Sequence, residues 1–186
     1  MLLIVQNGDP VLREKAKEVP IPEIKSARIQ KILKDMVVAL ESQDDGVALA
    51  APQIGISLRI FIVSNIAVEV PAELHERTEM KDRRAHKKKS GYLTFINPTV
   101  MKLSREKEIL DEGCLSVRPL YGKIKRSKKA TVRAYDEKGR LFERGASGLL
   151  AQIFQHETDH LDGVLFIDKA KNLRKLSATD DASLKN

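Results

Sequence analysis

A single cysteine among 186 residues excludes an internal disulfide framework, so the chemistry of that one thiol matters more than any cross-link. There is no tryptophan, and five phenylalanines and three tyrosines complete the aromatic set, too few for a surface that stacks on successive bases. No apolar run approaches the roughly 20 residues needed to cross a bilayer. The first five residues, Met-Leu-Leu-Ile-Val, lack a basic start and give way at once to Gln6, Asn7, Gly8 and Asp9, which is not the pattern of a secretory signal. What remains is a chain that is 42% hydrophobic and carries a formal charge of +7. That length and composition suit one globular domain with a basic surface, expected in the cytoplasm.

The positive charge is uneven. Lys81, Arg83, Arg84, Lys87, Lys88 and Lys89 crowd one segment, and Lys123, Lys125, Arg126, Lys128 and Lys129 another. Such clusters attract polyanions. Neither contains an aromatic residue for stacking on bases, so both read as solvated surface. Residues 69–91 as a whole have the charged composition of a surface insertion.

Along the chain, Ile29, Ile32, Leu33, Met36, Val37 and Leu40 recur at three- and four-residue steps. This stripe predicts an amphipathic helix from near Pro22 to before Gly46. Gly46-Val-Ala-Leu-Ala-Ala-Pro-Gln-Ile-Gly55 is uncharged and rich in small residues, and fits neither period; it reads as backbone that approaches something closely. Arg59–Val63, Leu93–Val100, Glu106–Leu110 and Ala130–Tyr135 read as strands, with a hairpin turn at Asp136-Glu-Lys-Gly139. Ser147 is the candidate cap of a second helix through Leu149, Leu150, Ile153 and Phe154, with Gly163 as its stop. Short, mostly antiparallel strands around a central helix, with no alternating β-α-β order, predict an α+β fold. The boundaries expected are a single catalytic domain over residues 1–168 and a polar tail over residues 169–186.

The second helix carries His156-Glu157-Thr158-Asp159-His160. Residues four apart share a helix face, so His156 and His160 can grip one metal ion. Glu157 lies roughly 100° around from His156, beside the metal face, where a general base for an activated water belongs. A catalytic site of this kind needs a third protein ligand and an open position. No histidine follows His160, and the downstream acids Asp168, Asp180 and Asp181 lie on no evident helix. Cys114, in Glu112-Gly-Cys-Leu-Ser116, is the remaining donor, and a thiolate is a strong ligand for iron, zinc or nickel. The expectation is a Cys-His-His site.

Gly46–Gly55, Glu112–Ser116 and Gln155-His-Glu-Thr-Asp-His-Leu-Asp-Gly163 resemble the three signature motifs of the peptide deformylases, in the same order and at similar spacing. Gly8-Asp-Pro-Val-Leu-Arg13 and Ile96-Asn-Pro98 are similar to further stretches of that family. The resemblance covers residues 4–168 and begins near the start of the chain, so no transit peptide is expected. It implies an enzyme that hydrolyses the N-terminal formyl group of formyl-methionyl nascent polypeptides and releases formate. Cys114, His156 and His160 would hold one divalent ion, commonly Fe2+ in this family, with Zn2+, Ni2+ and Co2+ compatible with the same donors. Glu157 would be the general acid/base, and Gln53 with the backbone N–H of Leu115 would stabilise the oxyanion. Val47, Gln152 and Ile153 would border a methionine pocket, with Leu149 read as core, and Ala48 and Gly113 would meet the peptide. Asp159 would pair with Arg126. As partners the resemblance implies the nascent peptide and a transient association with the ribosome. Neither a membrane nor a sequence-specific nucleic acid is expected, and the chain is read as a monomer.

The chain departs from the family pattern in three places. Ala48 stands where the family usually has glycine, and Val117-Arg118-Pro119 where it usually has Val-Pro-Gly. The sequence past Asp168 is short and polar, whereas some members dock on the ribosome through a longer basic C-terminal helix; the basic residues 81–89 are the candidate substitute. Two other readings compete: a metallopeptidase that cuts internal peptide bonds, whose third ligand is not cysteine, and a basic RNA-binding protein with a purely structural metal.

Overall fold

The computed structural model describes residues 3–69 and 91–175, so most of the basic insertion and the last eleven residues lie outside the described residues. The first helix, α1 (Ala27–Glu41), buries Ile29, Ile32, Leu33, Met36, Ala39 and Leu40 along one face. It begins later than the stripe suggests because Ser26, with extended backbone, accepts a hydrogen bond from Ile29 N at 3.3 Å. A one-turn helix at Ile21–Glu23 occupies the preceding Pro-rich stretch. The segment after Gly46 that fits no single period is a hybrid: a three-residue strand, β1 (Ala48–Ala50), runs into a one-turn helix at Ala51–Ile54 ended by Gly55. Two short elements of different period leave neither pattern enough residues to be read.

The chain continues through β2 (Ile60–Ser64), the short α2 (Ile66–Glu69), β3 (Tyr92–Leu103), β4 (Lys107–Gly113), β5 (Leu120–Ser127), β6 (Lys129–Tyr135) and β7 (Leu141–Ser147). There follow α3 (Gly148–Leu161) and β8 (Lys171–Lys175). The strands form two antiparallel sheets, one in the order β1-β2-β3-β6-β7 and one in the order β4-β5-β8. β8 lies within the stretch that reads as a polar tail. All five of its side chains are exposed, so its membership of a sheet leaves no hydrophobic pattern in the sequence. Asn97 interrupts β3 with φ 51, and its side chain accepts from Val19 N at 2.8 Å and donates to Val19 O at 2.7 Å. That bulge ties the N-terminal segment to the large sheet.

α3 packs against the large sheet through Phe154, whose ring centroid lies 5.1 Å from Phe95, itself stacked on Phe61 at 4.5 Å. All three rings are fully buried. Ser147 occupies the N-cap position, yet its side chain makes no capping bond. The helix is held instead by this packing and by Gln155, which accepts from Ser127 N and donates to Ser127 O, both at 2.9 Å. At its far end Gly163, at φ 74, reverses the chain where a Cβ would meet Arg13 O at 2.6 Å. Only glycine fits there. The helix is thereby fixed with His156 and Glu157 facing the gap between the two sheets.

Candidate active site

β1 is an edge of the large sheet and β4 an edge of the small one, among the described residues. Between them lies a cavity of about 240 Å³. Its walls are Gly46, Val47 and Ala48 on one side and Asp111, Glu112 and Gly113 on the other, with Leu149, Gln152, Ile153, His156 and Glu157 of α3 beneath. Gln53, Cys114 and Leu115 complete the inner end. Every residue expected to meet the peptide therefore borders this cavity, and Leu149, read as core, borders it too while packing on the hydrophobic cluster under α3. Gly113 has a local reason: a Cβ there would collide with the ring of Tyr121, its partner across the β4–β5 ladder.

At the inner end Cys114, His156 and His160 bring their donor atoms within 4.8 Å of one another. The sulfur of Cys114 lies 3.2 Å from His160 Nε2. One ion with bonds of about 2.0–2.3 Å spans nearly that distance. His156 Nδ1 is held 2.6 Å from Glu112 Oε1, which fixes the ring and turns Nε2 toward Cys114. His160 Nδ1 and Glu157 Oε2 are buried with no hydrogen-bond partner among the described residues. A soft thiolate and two imidazoles in a half-enclosed pocket fit a divalent transition ion.

The electrostatics follow from burial. Glu157 is buried, and desolvation lifts its carboxyl from 4.5 to about 7, with His156 and Arg126 opposing the rise and Glu112 adding to it. Burial and the nearby His156 charge hold His160 well below the usual imidazole range, in the neutral form that a metal ligand needs. Burial also opposes charge on His156, but its hydrogen bonds and attraction to Cys114 and Glu112 prevail and raise it.

Glu112 lies inside the cysteine motif but has no role in the sequence reading; it is the hub of a buried network. Arg126 donates to it through Nε at 3.0 Å and Nη2 at 2.7 Å, and through Nη1 to Asp159 at 2.6 Å. Lys169 adds a bond to the other oxygen of Asp159 at 2.7 Å. The Arg126–Asp159 pair implied by the resemblance is present, and Glu112 is the larger partner. Desolvation alone would raise Glu112, yet its bonds to His156 and Arg126 pull it down to about 2. Alternation gives a hint of Arg126: it falls on the inward parity of β5, with Gly122 and Ile124, where a charge is unexpected.

Gln53 is fixed at both ends of its amide. Its Oε1 accepts from Ala50 N at 2.8 Å, and its Nε2 donates to Ser116 Oγ at 3.2 Å and to Cys114 Sγ at 3.5 Å. The amide N–H groups thus point at the cysteine side of the pocket. Ser116, fully buried, has no signal in the sequence beyond its place in the motif.

A helix that presents two histidines and a glutamate to a cysteine, at the foot of a cleft between two sheet edges, offers the kind of donor set that holds one divalent ion in metal-dependent hydrolases. Residues 1–176 match the family described as Polypeptide deformylase. The chain belongs to that family. It is 42% identical over 166 residues to "Peptide deformylase 1A, chloroplastic/mitochondrial" of Arabidopsis thaliana, covering 89% of this chain and 60% of that one. With "Peptide deformylase" of Pelotomaculum thermopropionicum it shares 39% over 178 residues, covering 96% and 97%. A class I type b peptide deformylase from Acinetobacter baumannii, solved with Met-Ala-Ser bound, superposes with a TM-score of 0.75 at 28% identity, over 91% of this chain and 98% of that one. The chain spans about three fifths of the length of the plant relatives it matches. No helix among the described residues is long and apolar enough to cross a membrane.

Proposed function

We propose that this chain removes the formyl group from the N-terminal formyl-methionine of new polypeptides, releasing formate and the free amine. The observation that carries the proposal is the convergence of Cys114, His156 and His160 beside the buried Glu157 at the foot of the cleft. These three residues would hold one divalent ion, Fe2+ in the cell, with Zn2+, Ni2+ or Co2+ able to substitute. Bound there, the ion would act as a Lewis acid and bring the pKa of water down to about 7, which would supply a nucleophile strong enough for an unreactive formamide.

The remaining work falls to the chain. The open edges of β1 and β4 can accept the substrate as an added strand, through backbone hydrogen bonds indifferent to side chains. Val47, Gln152 and Ile153 border the space for methionine, while Ala48 and Gly113 meet the peptide backbone. Glu157 takes the proton from the attacking water and passes it to the departing nitrogen, since an amide nitrogen leaves poorly unless protonated. The Gln53 amide and the Leu115 N–H donate to the oxygen on which charge grows; loss of one such donor costs about 3 kcal/mol of transition-state stabilisation. The Met-Ala-Ser bound to the Acinetobacter baumannii relative is the size and chemistry of a product that this cleft would release. We further propose a single catalytic unit that runs on through β8 rather than ending at residue 168, acting as a monomer in the cytoplasm and meeting its substrates in transient contact with the ribosome.

The test is formate release from formyl-Met-Ala-Ser by the metal-replete protein beside its Glu157→Ala variant. The reading predicts release that the variant loses by a factor of about 100 or more. No release by the wild-type protein, with metal bound, overturns it.

A further inference from the structure

Of the charged side chains that border the cleft without a part in the chemistry above, Asp111 is held by Lys123 and Arg174 on its own sheet, while two others pair across the mouth. Asp45, in the loop after α1, and Arg118, in the turn after Cys114, are 73 residues apart, yet Arg118 Nη2 donates to Asp45 Oδ1. Both border the cavity. The same two walls also meet through Leu115, whose Cδ1 would lie 3.0 Å from a Cβ on Gly46, so the ion pair stands on a packed base. Arg118 is the residue at which the chain departs from the usual Val-Pro-Gly continuation of the cysteine motif.

The side chains of Asp45 and Arg118 are 39% and 46% exposed, and a pair so wet is weakly held. A peptide whose methionine lies against α3 and whose backbone follows the edges of β1 and β4 carries its next side chains past this mouth. A carboxylate there can replace Asp45 on Arg118, and an ammonium can replace Arg118 on Asp45. We propose that Asp45 and Arg118 are specificity-determining residues that read the charge of the side chains following methionine, and that their mutual pairing keeps the native protein nearly indifferent to it. Each substrate charge gains one partner and breaks the existing pair, so the two effects offset. Removing either member leaves the other unpaired and turns indifference into preference.

The inference rests on the deformylase reading, and the experiment separates the two. Metal-replete wild type, Asp45→Asn and Arg118→Gln are assayed at low salt on formyl-Met-X-Ser and formyl-Met-Ala-X, with X as Asp, Ala or Lys. The acidic-to-neutral ratio of kcat/KM is expected to rise about two- to fivefold in Asp45→Asn, and the basic-to-neutral ratio by a similar factor in Arg118→Gln. Both changes should reside in KM and shrink at about 0.5 M salt, where screening shortens to a few Å. Ratios equal to wild type in both variants, at both positions of X, overturn the inference. Failure of the wild type to deformylate the neutral peptide overturns the functional reading instead.

Discussion

Replacing Arg126 by Met keeps most of the aliphatic stem and deletes the guanidinium at the centre of the buried network. Three hydrogen bonds go, two to Glu112 and one to Asp159. Asp159 keeps Lys169, but Glu112 is left with His156 and a 3.3 Å contact from Gln152 Nε2. The side chains of Arg126 and Glu112 are 5% and 4% exposed, so water cannot take the lost partner's place. Breaking such a pair costs about 3–5 kcal/mol. The carboxyl gives a second measure: held at about 2 against 4.5, it contributes about 3 kcal/mol at neutral pH, shared between Arg126 and His156. Because its pKa is lowered in the folded state, that stability is present above about pH 4.5 and lost as pH falls towards 2. Arg126→Met should therefore melt roughly 10 °C below wild type at pH 7 and lose less at about pH 3.5. Adding Glu112→Gln should recover part of the loss, since no stranded charge remains. Thermal and urea unfolding at both pH values measure this. A melting temperature within about 2 °C of wild type at pH 7, or a deficit independent of pH, would show that Arg126 is not what holds the Glu112 charge.

Further predictions follow from the same geometry. Glu157 is lifted to about 7 by burial, the opposite sign to Glu112, so its contribution is present below pH 4.5 and lost as pH rises through 7. In the metal-free protein, Glu157→Gln should accordingly match wild type near pH 4.5 and exceed it by up to about 3 kcal/mol above pH 7, as read by urea unfolding across that range. Equal stabilities at pH 8 would count against the burial of an unpartnered carboxyl. Gln53→Ala should lower kcat about 100- to 1000-fold with little change in KM, measured by formate release. Phe154→Ala removes the ring that packs α3 on Phe95 and should cost about 3–5 kcal/mol in a denaturant titration.

The α+β class and the antiparallel strands were legible because their hydrophobic residues recur at short, regular steps. The stripe of α1 and the run Leu149, Leu150, Ile153 and Phe154 need only local periodicity to be seen. The two histidines among the candidate ligands were legible for another reason: four-residue spacing on a helix determines that two imidazoles share a face, whatever surrounds them. Three kinds of feature escaped. Residues 46–55 combine a strand and a helical turn too short for either period to emerge. β8 gains its place from backbone pairing with β5, and exposed side chains carry no record of that. Glu112 and Ser116 acquire their roles only from contacts across 14 to 63 residues, which no local pattern encodes, whereas the Arg126–Asp159 pair was legible through the family resemblance.

In the proposed centre one thiol and two imidazoles share a single ion. Titrating the metal-free protein with Co2+ tests it directly, because cobalt bound to a thiolate gives a charge-transfer absorption that imidazole and carboxylate ligands do not. One Co2+ per chain with that band is expected in the wild type, and loss of the band with much weaker binding in Cys114→Ala. Tight binding of one Co2+ by Cys114→Ala, with a spectrum unchanged from wild type, would contradict it.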